Sequence, residues 1–390
     1  MQHAASRENF MADFAHRLQA LRHEFHQNPE LGFQEEWTKA RIARHLRELG
    51  IETHEGVGVV GVLRAGNSHK AIGIRADFDA LPIAELNEFA HRSRNEGVMH
   101  ACGHDGHTTM LLGAAELLAK SPEFDGTVVL LFQPNEEHGL GAQAMIDEGV
   151  LQNFPIDEVY GLHNLPGEPV GRISTRAGVI CFSESLFGIT IKGQGGHASM
   201  PQAGRETMTP AAELVLALQT IVSRKLPPSS GAVVSVTEFI TDGQRNVLPG
   251  HTLLKGEVRA AAPEYRKQVE IHLKQIAEGV GVSHGVDVSV EFRTEFIEAI
   301  NDADAASHVI EAARMMGLEH DGARSSMTFS EDFANFAAQV PGCFLLIGNG
   351  TEGAHAKPLH AADYDFNDEL LETGARFWAE LAKQRLPKGE

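Results

Sequence analysis

The sequence predicts an α/β fold: a domain built on a mostly parallel sheet, into which a smaller α+β domain of ferredoxin-like order is inserted. Three observations carry this. Apolar runs such as Val128-Val129-Leu130-Leu131-Phe132 and Val159-Tyr160-Gly161-Leu162 alternate with segments of helical period, as buried parallel strands do. Between 182 and 294 the order becomes strand, helix, strand, strand, helix, strand, a split β-α-β unit. Past 301 the first pattern resumes. The expected division is 1–181 with 295–390 for the larger domain, and 182–294 for the insertion.

Each element follows from its pattern. Phe10, Phe14, Leu18, Leu21 and Phe25 recur at helical spacing and give an opening helix that ends before Pro29. A second helix over about 35–49 stops at Gly50. Strands follow near 57–63 and 71–76, then a helix at 106–119 and the two apolar strands. In the insertion, 186–192, 233–240, 252–260 and 286–292 read as strands, and 208–225 and 264–280 as helices. Asn301 and Asp302 cap a helix at 303–316 that Gly317 ends. A strand at 343–347 and a helix at 367–385 complete the larger domain.

Composition bounds the function. The 390 residues are 42% hydrophobic and 22% charged, a globular balance with room for two or three domains. A net charge of −20 disfavours nucleic acid and anionic membrane as partners. An anionic substrate stays admissible, because a bound cation inverts the local field. No apolar run reaches the ~18–20 residues of a membrane span, and the N-terminus lacks a secretory pattern. Cys102, Cys181 and Cys343 make no disulfide framework, so a reducing cytoplasm is expected.

The chemistry concentrates in His100-Ala101-Cys102-Gly103-His104-Asp105-Gly106-His107. Thiolate and imidazole are ligands for zinc-like metals, and Gly103 permits a tight turn between Cys102 and His104. Asp105 is placed to orient a neighbouring imidazole. The plain alternative is a histidine-rich surface loop. Glu136-Glu137 follows an apolar strand; adjacent acids repel unless cations compensate, and their diverging side chains allow one to bind metal and the other to face water. His163 ends a strand, and His360 follows another. Singly these are weak signals, and a solvated acidic loop or a surface histidine explains each. Their shared position is stronger, because open α/β sheets bind ligands beyond the carboxyl ends of their strands. Asp77-Phe78-Asp79, Glu136-Glu137, His163 and the loop to His360 all lie there.

Competing motifs fail. Gly348-Asn349-Gly350-Thr351-Glu352-Gly353 matches a dinucleotide fingerprint, but no helix opens after it, and it reads as a flexible loop approaching the metal site. No G-x-S-x-G elbow or H-E-x-x-H helix is present. Cys102 as a covalent nucleophile with His104 is the alternative to ligation.

With these residues assembled, the sequence resembles the co-catalytic metallopeptidase family that includes aminoacylase, in its hippurate hydrolase and auxin-conjugate amidohydrolase branch. The resemblance spans nearly the whole chain. It rests on Arg75-Ala76-Asp77-Phe78-Asp79-Ala80-Leu81-Pro82, 100–107, Glu136-Glu137, Gly161-Leu162-His163-Asn164, 193–201, Arg245-Asn246-Val247-Leu248-Pro249, and Tyr364-Asp365-Phe366-Asn367 after His360. It implies a metallohydrolase in which Cys102, His104, Glu137, His163 and His360 bind two divalent ions per subunit, manganese or zinc, with cobalt or nickel as further candidates. It implies Glu136 as general base and Asn246 near the substrate carboxylate. It implies that the inserted domain makes a homodimer, or part of a tetramer, and that His197 reaches the active site of the partner chain. The expected activity is amide hydrolysis of small N-acyl amino acids, hippurate-like or N-acetylated. The alternatives are a dipeptidase or aminopeptidase on the same scaffold, or a non-catalytic metal- or amino-acid-binding protein, which loss of the base would betray; Glu136 is present. Asn135 departs from the branch, where a small residue is usual, as do Gln202 and Glu206-Thr207-Met208. These departures bear on substrate identity.

Overall fold

The computed structural model describes residues 2–389, with side chains from Asp13 onwards. The chain forms two compact units. One runs to Ile180 and resumes over Ile300–Ser325 and from Asp332; the other comprises Cys181–Ala299 with Ser326–Glu331.

The first unit is built on an eight-stranded sheet in the order Glu52–Glu55, Val59–Ala65, Gly126–Gln133, Ala71–Asp77, Glu158–Pro166, Gly342–Gly350, Ile173–Ser174, His320–Asp321. The four strands that carry the site are mutually parallel: Ala71–Asp77 pairs in parallel with Gly126–Gln133 and Glu158–Pro166, and Glu158–Pro166 with Gly342–Gly350. Every residue of Ala71–Asp77 and Gly342–Gly350 is buried, so the first reads as apolar up to Arg75, whose guanidinium bonds Gln133 and Asp332, and the second as apolar up to Asn349. The edge strand Glu52–Glu55 is polar and exposed, and has no alternation that sequence could reveal.

Helices cover the sheet. The opening helix Gln2–Gln27 buries Phe14, Leu18, Leu21 and Phe25; the Phe10 side chain lies outside the described residues. Each such side chain contributes about 1.5–3 kcal/mol through burial. His104–Lys120 and Glu369–Arg385 pack closely beside it, with Trp378 fully buried. The close approach requires Gly374, where a Cβ would sit 2.0 Å from the Met110 sulfur. The stretch matching a dinucleotide fingerprint ends the strand Gly342–Gly350 and passes into a 3-10 turn, Gly353–Ala356, so no α-helix opens there.

The second unit has a four-stranded antiparallel sheet, ordered Val233–Thr241, His251–Ala260, Ser183–Lys192, Asp287–Phe296. With helices Met208–Leu218 and Pro263–His284 between the strands, this is the ferredoxin-like order. Ile189, Ile191, Leu214, Leu254 and Leu273 form its core. The helix expected over 208–225 ends at Leu218, and Ile221–Lys225 adds a π turn. Residues 326–331 join this unit, whereas sequence placed them in the larger domain. Non-local hydrogen bonds attach them: Phe182 N donates to Met327 O (3.1 Å), and Ser330 Oγ to Phe182 O (2.8 Å). No periodicity signals such bonds. Among the described residues, no helix is long and apolar enough to cross a membrane.

Candidate metal centre

The carboxyl ends of the parallel strands deliver the donors. Asp77 closes one strand; Glu136 and Glu137 occupy the turn after a second; His163 lies near the end of a third. His360 follows the fourth, with its backbone in the left-handed region at φ 65°. Cys102 and His104 flank Gly103, from which the helix His104–Lys120 departs. Gly103 has φ 94°, and a Cβ there would lie 2.3 Å from Asn164 Oδ1 and 2.8 Å from the Tyr364 hydroxyl. Only glycine fits the turn that aims its two neighbours at one place.

Three overlapping donor groups result, each with ligand atoms within 4.8 Å of one another: Cys102, His104 and His163; Cys102, Glu137 and His360; His104, Glu136 and Glu137. Cys102 Sγ lies 3.2 Å from His163 Nε2, and His360 Nε2 lies 3.4 Å from Glu137 Oε2. All five ligands expected from sequence are thereby brought together with Glu136. A further group, Asp77, His104 and His107, adjoins them.

Buried partners hold the donors in place. Asp79 Oδ1 accepts from His104 Nδ1 (3.1 Å), while its Oδ2 accepts the Glu137 backbone N–H (3.0 Å). Asp77 Oδ1 is 2.7 Å from His107 Nδ1, and the other side of that ring is 2.8 Å from Asn164 Oδ1. Asn164 Nδ2 donates to the Tyr364 hydroxyl (2.6 Å). Sequence reasoning placed Asp77 and Asp79 among the donor groups of the sheet edge and named Asn164 and Tyr364 only within motifs, without a partner for any of them. Their signal was their place in motifs past the strands, but which atom each supports is a tertiary fact. Asp105 differs from expectation. It bonds the imidazole of His26 on the opening helix (2.8 Å) and lies 3.5 Å from the Arg22 guanidinium, so Asp79, not Asp105, orients His104. From the start of the helix its side chain is directed at the opening helix, a partner 79 residues away.

The residues fit a metal. His104 Nε2 and Glu137 Oε1 are buried, have no hydrogen-bond partner, and lie 3.9 Å apart. Unpaired buried polar atoms are costly, and a cation between donors is the chemistry that satisfies both. Burial opposes a proton on His104, yet Asp77, Asp79 and Glu137 outweigh it and hold the imidazole's pKa up at about 10. The carboxylates thus demand positive charge, which a divalent ion supplies in the proton's place. Burial, with Glu137 and Glu136 nearby, pushes the Cys102 thiol well above its usual range, so a thiolate there requires a cation. Burial and His107 push His163 well below the usual range, leaving a neutral ring suited to ligation.

The sequence pattern of peptidase family M20/M25/M40 matches residues 73–384. The chain belongs to this family. It is 37% identical to the hippurate hydrolase of Campylobacter jejuni, over 96% of this chain and 98% of that one. It is 36% identical to an N-acetylcysteine deacetylase of Bacillus subtilis, over 95% and 98%. The crystal structure of the Bacillus subtilis YXEP protein, described as a dinuclear metal-binding peptidase from the M20 family, superposes with a TM-score of 0.85 at 32% identity, covering 96% of this chain and 99% of that one. This M20 protein is thus a metal-dependent amidohydrolase with a donor set sufficient for two ions.

The remaining two residues expected at the site belong to the second unit. His197 pairs with Val247 in a two-stranded ladder, and Ala198 N donates to Asn246 O (3.1 Å), so the two lie side by side. Both are exposed in the single chain. Ser199 N donates to His197 Nδ1 (3.1 Å), and Ser199 Oγ lies 2.8 Å from the same nitrogen.

Proposed function

We propose that this M20 hydrolase cleaves the amide bond of small N-acyl amino acids, giving a carboxylic acid and a free amino acid. The observation that carries the reading is the convergence of Cys102, His104, Glu137, His163 and His360 around two orphaned buried donor atoms, with Glu136 at their side. These five residues hold two divalent ions, manganese or zinc by donor chemistry. When bound, the ions supply Lewis acidity, which lowers the pKa of water and polarises the amide carbonyl. Glu136 takes the proton of the attacking water and then gives it to the departing nitrogen, so that the amine leaves neutral. The names of the relatives, a hippurate hydrolase and an N-acetylcysteine deacetylase, support N-acyl amino acids as the substrate class.

His197 serves in the site of the partner subunit, where its imidazole donates to the oxygen that gains negative charge. Asn246, its neighbour, binds the substrate carboxylate. Their adjacency, fixed by the His197–Val247 ladder and the Ala198 N to Asn246 O bond, and their exposure in the single chain support this pairing, and with it a homodimer formed through the second unit. Three free, buried cysteines support a reducing cytoplasm.

Glu136→Gln tests the reading. It should retain both metals and lower kcat by ~10²-fold or more, the scale of a lost general base. Near-normal turnover in metal-loaded Glu136→Gln would overturn the assignment.

A further inference from the structure

The turn that carries Glu136 is set by a residue in backbone conformation unusual for its type. Asn135 has φ 49°, in the left-handed region, and is buried. What holds it there comes from a distant segment. The buried carboxylate of Glu35 accepts the Asn135 backbone N–H at 3.0 Å. Glu35 occupies the N-cap position of the helix Glu36–Glu48 but makes no cap hydrogen bond with its side chain. Glu30 does that task instead: its carboxylate accepts from Trp37 N (3.1 Å), Thr38 N (2.8 Å) and the Thr38 hydroxyl (2.8 Å). Glu35 is thereby released to face the turn.

The Asn135 side chain is braced by the same segment. A Cβ on Gly32 would lie 1.8 Å from Asn135 Oδ1, so glycine alone leaves room for it. The oxygen lies 2.6 Å from His138 Nδ1. The segment is itself fixed to the strand end that carries Asp79, because Ala80 N donates to Glu30 O (2.9 Å). One loop therefore ties the turn before Glu136 to the carboxylate that holds His104 and Glu137.

We propose that Glu35 is a positioning residue for Glu136: its carboxyl group locks the Asn135 amide and so fixes the direction in which Glu136 leaves the sheet. The proposal rests on Glu136 being the general base. Glu35 is not among the donor groups, and acts through the Asn135 backbone hydrogen bond. Burial, with Asp79 nearby, pushes its pKa up to about 7.

Glu35→Gln keeps an acceptor oxygen, whereas Glu35→Met keeps the length and loses it. Amide hydrogen exchange at Asn135, kcat, KM and metal content are read on each variant. Glu35→Met should speed exchange at Asn135 and lower kcat about tenfold or more, the rate equivalent of one hydrogen bond to an ionisable group. KM and metal content should hold. Glu35→Gln should restore slow exchange and most of kcat. In a Glu136→Gln background, Glu35→Met should cost no further kcat while exchange still quickens. Unchanged exchange and kcat in Glu35→Met would overturn the proposal, as would equal losses in the Met and Gln variants. If Glu35→Met fails to fold, exchange at Asn135 in the native protein decides alone, and exchange at the rate of an open amide overturns it. A Glu136→Gln enzyme that keeps turnover would sink the general-base reading separately, because the exchange result does not depend on activity.

Discussion

Replacing Asp79 by Asn should loosen metal binding without removing a single ligand. The carboxylate accepts two hydrogen bonds, from His104 Nδ1 at 3.1 Å and from Glu137 N at 3.0 Å. An amide offers one oxygen and one N–H₂, so it can satisfy only one of them. If its nitrogen faces His104, the imidazole must shift its proton to Nε2, the orphaned atom that faces the donor set. If its nitrogen faces Glu137, two N–H groups oppose each other and displace that turn. Either way one ligand is misdirected. The loss of a buried hydrogen bond to a charged group is about 1.5–3 kcal/mol, which corresponds to roughly 10–150-fold in affinity and matches the ~10–100-fold scale for residues that support metal ligands. Competition against a chromophoric chelator, with Mn²⁺ and with Zn²⁺, measures it. Affinity within about twofold of the native protein for both ions would refute the reasoning.

Three further outcomes follow from the same geometry. Bound metal should protect Cys102 from iodoacetamide, since a coordinated thiolate is engaged and a released one is open to reagents; equal labelling with and without chelator, at confirmed metal occupancy, would count against ligation. Mixing inactive Glu136→Gln chains with inactive His197→Ala chains should restore activity, because one site of each mixed dimer then has both groups native; verified heterodimers without activity would exclude action across subunits. Burial opposes ionisation of Glu158, but Arg385, Tyr160 and Lys70 outweigh it and hold its pKa down at about 2, from 4.5. A depressed carboxylate contributes stability that is present above 4.5 and lost as pH falls toward 2; the Tm of Glu158→Gln should therefore fall less steeply than that of the native protein across this window, and parallel curves would contradict the ion-pair account.

The parallel strands were legible because burial on both faces leaves their centres apolar, as in residues 128–132 and 343–347. Glu136, Glu137, His163 and His360 could be read together because parallel order puts the ends of their strands on one sheet edge, while Cys102 and His104 join them from the start of a helix. What sequence did not show has a common cause, since it depends on contacts between distant segments. Ile173–Ser174 and His320–Asp321 are too short to have a period. Asp105 sits two residues from His107 and one from His104, yet its partner is His26. Asn135 looked like a departure that bears on substrate. In the structure its amide is held by Glu35 and its side chain fits the space left by Gly32. The helix of 208–225 kept its apolar period through a change to π geometry, which periodicity at this length does not register.

The most direct test is a metal titration of the chelator-stripped protein, with hydrolysis of acetyl, benzoyl and indoleacetyl amino acids followed at each addition of Mn²⁺ or Zn²⁺. The donor groups of Cys102, His104, Glu136, Glu137, His163 and His360 predict that release of free amino acid from at least one of these amides appears with metal and saturates at two ions per chain. A protein that takes up two ions and binds these amides without releasing amino acid would contradict the account.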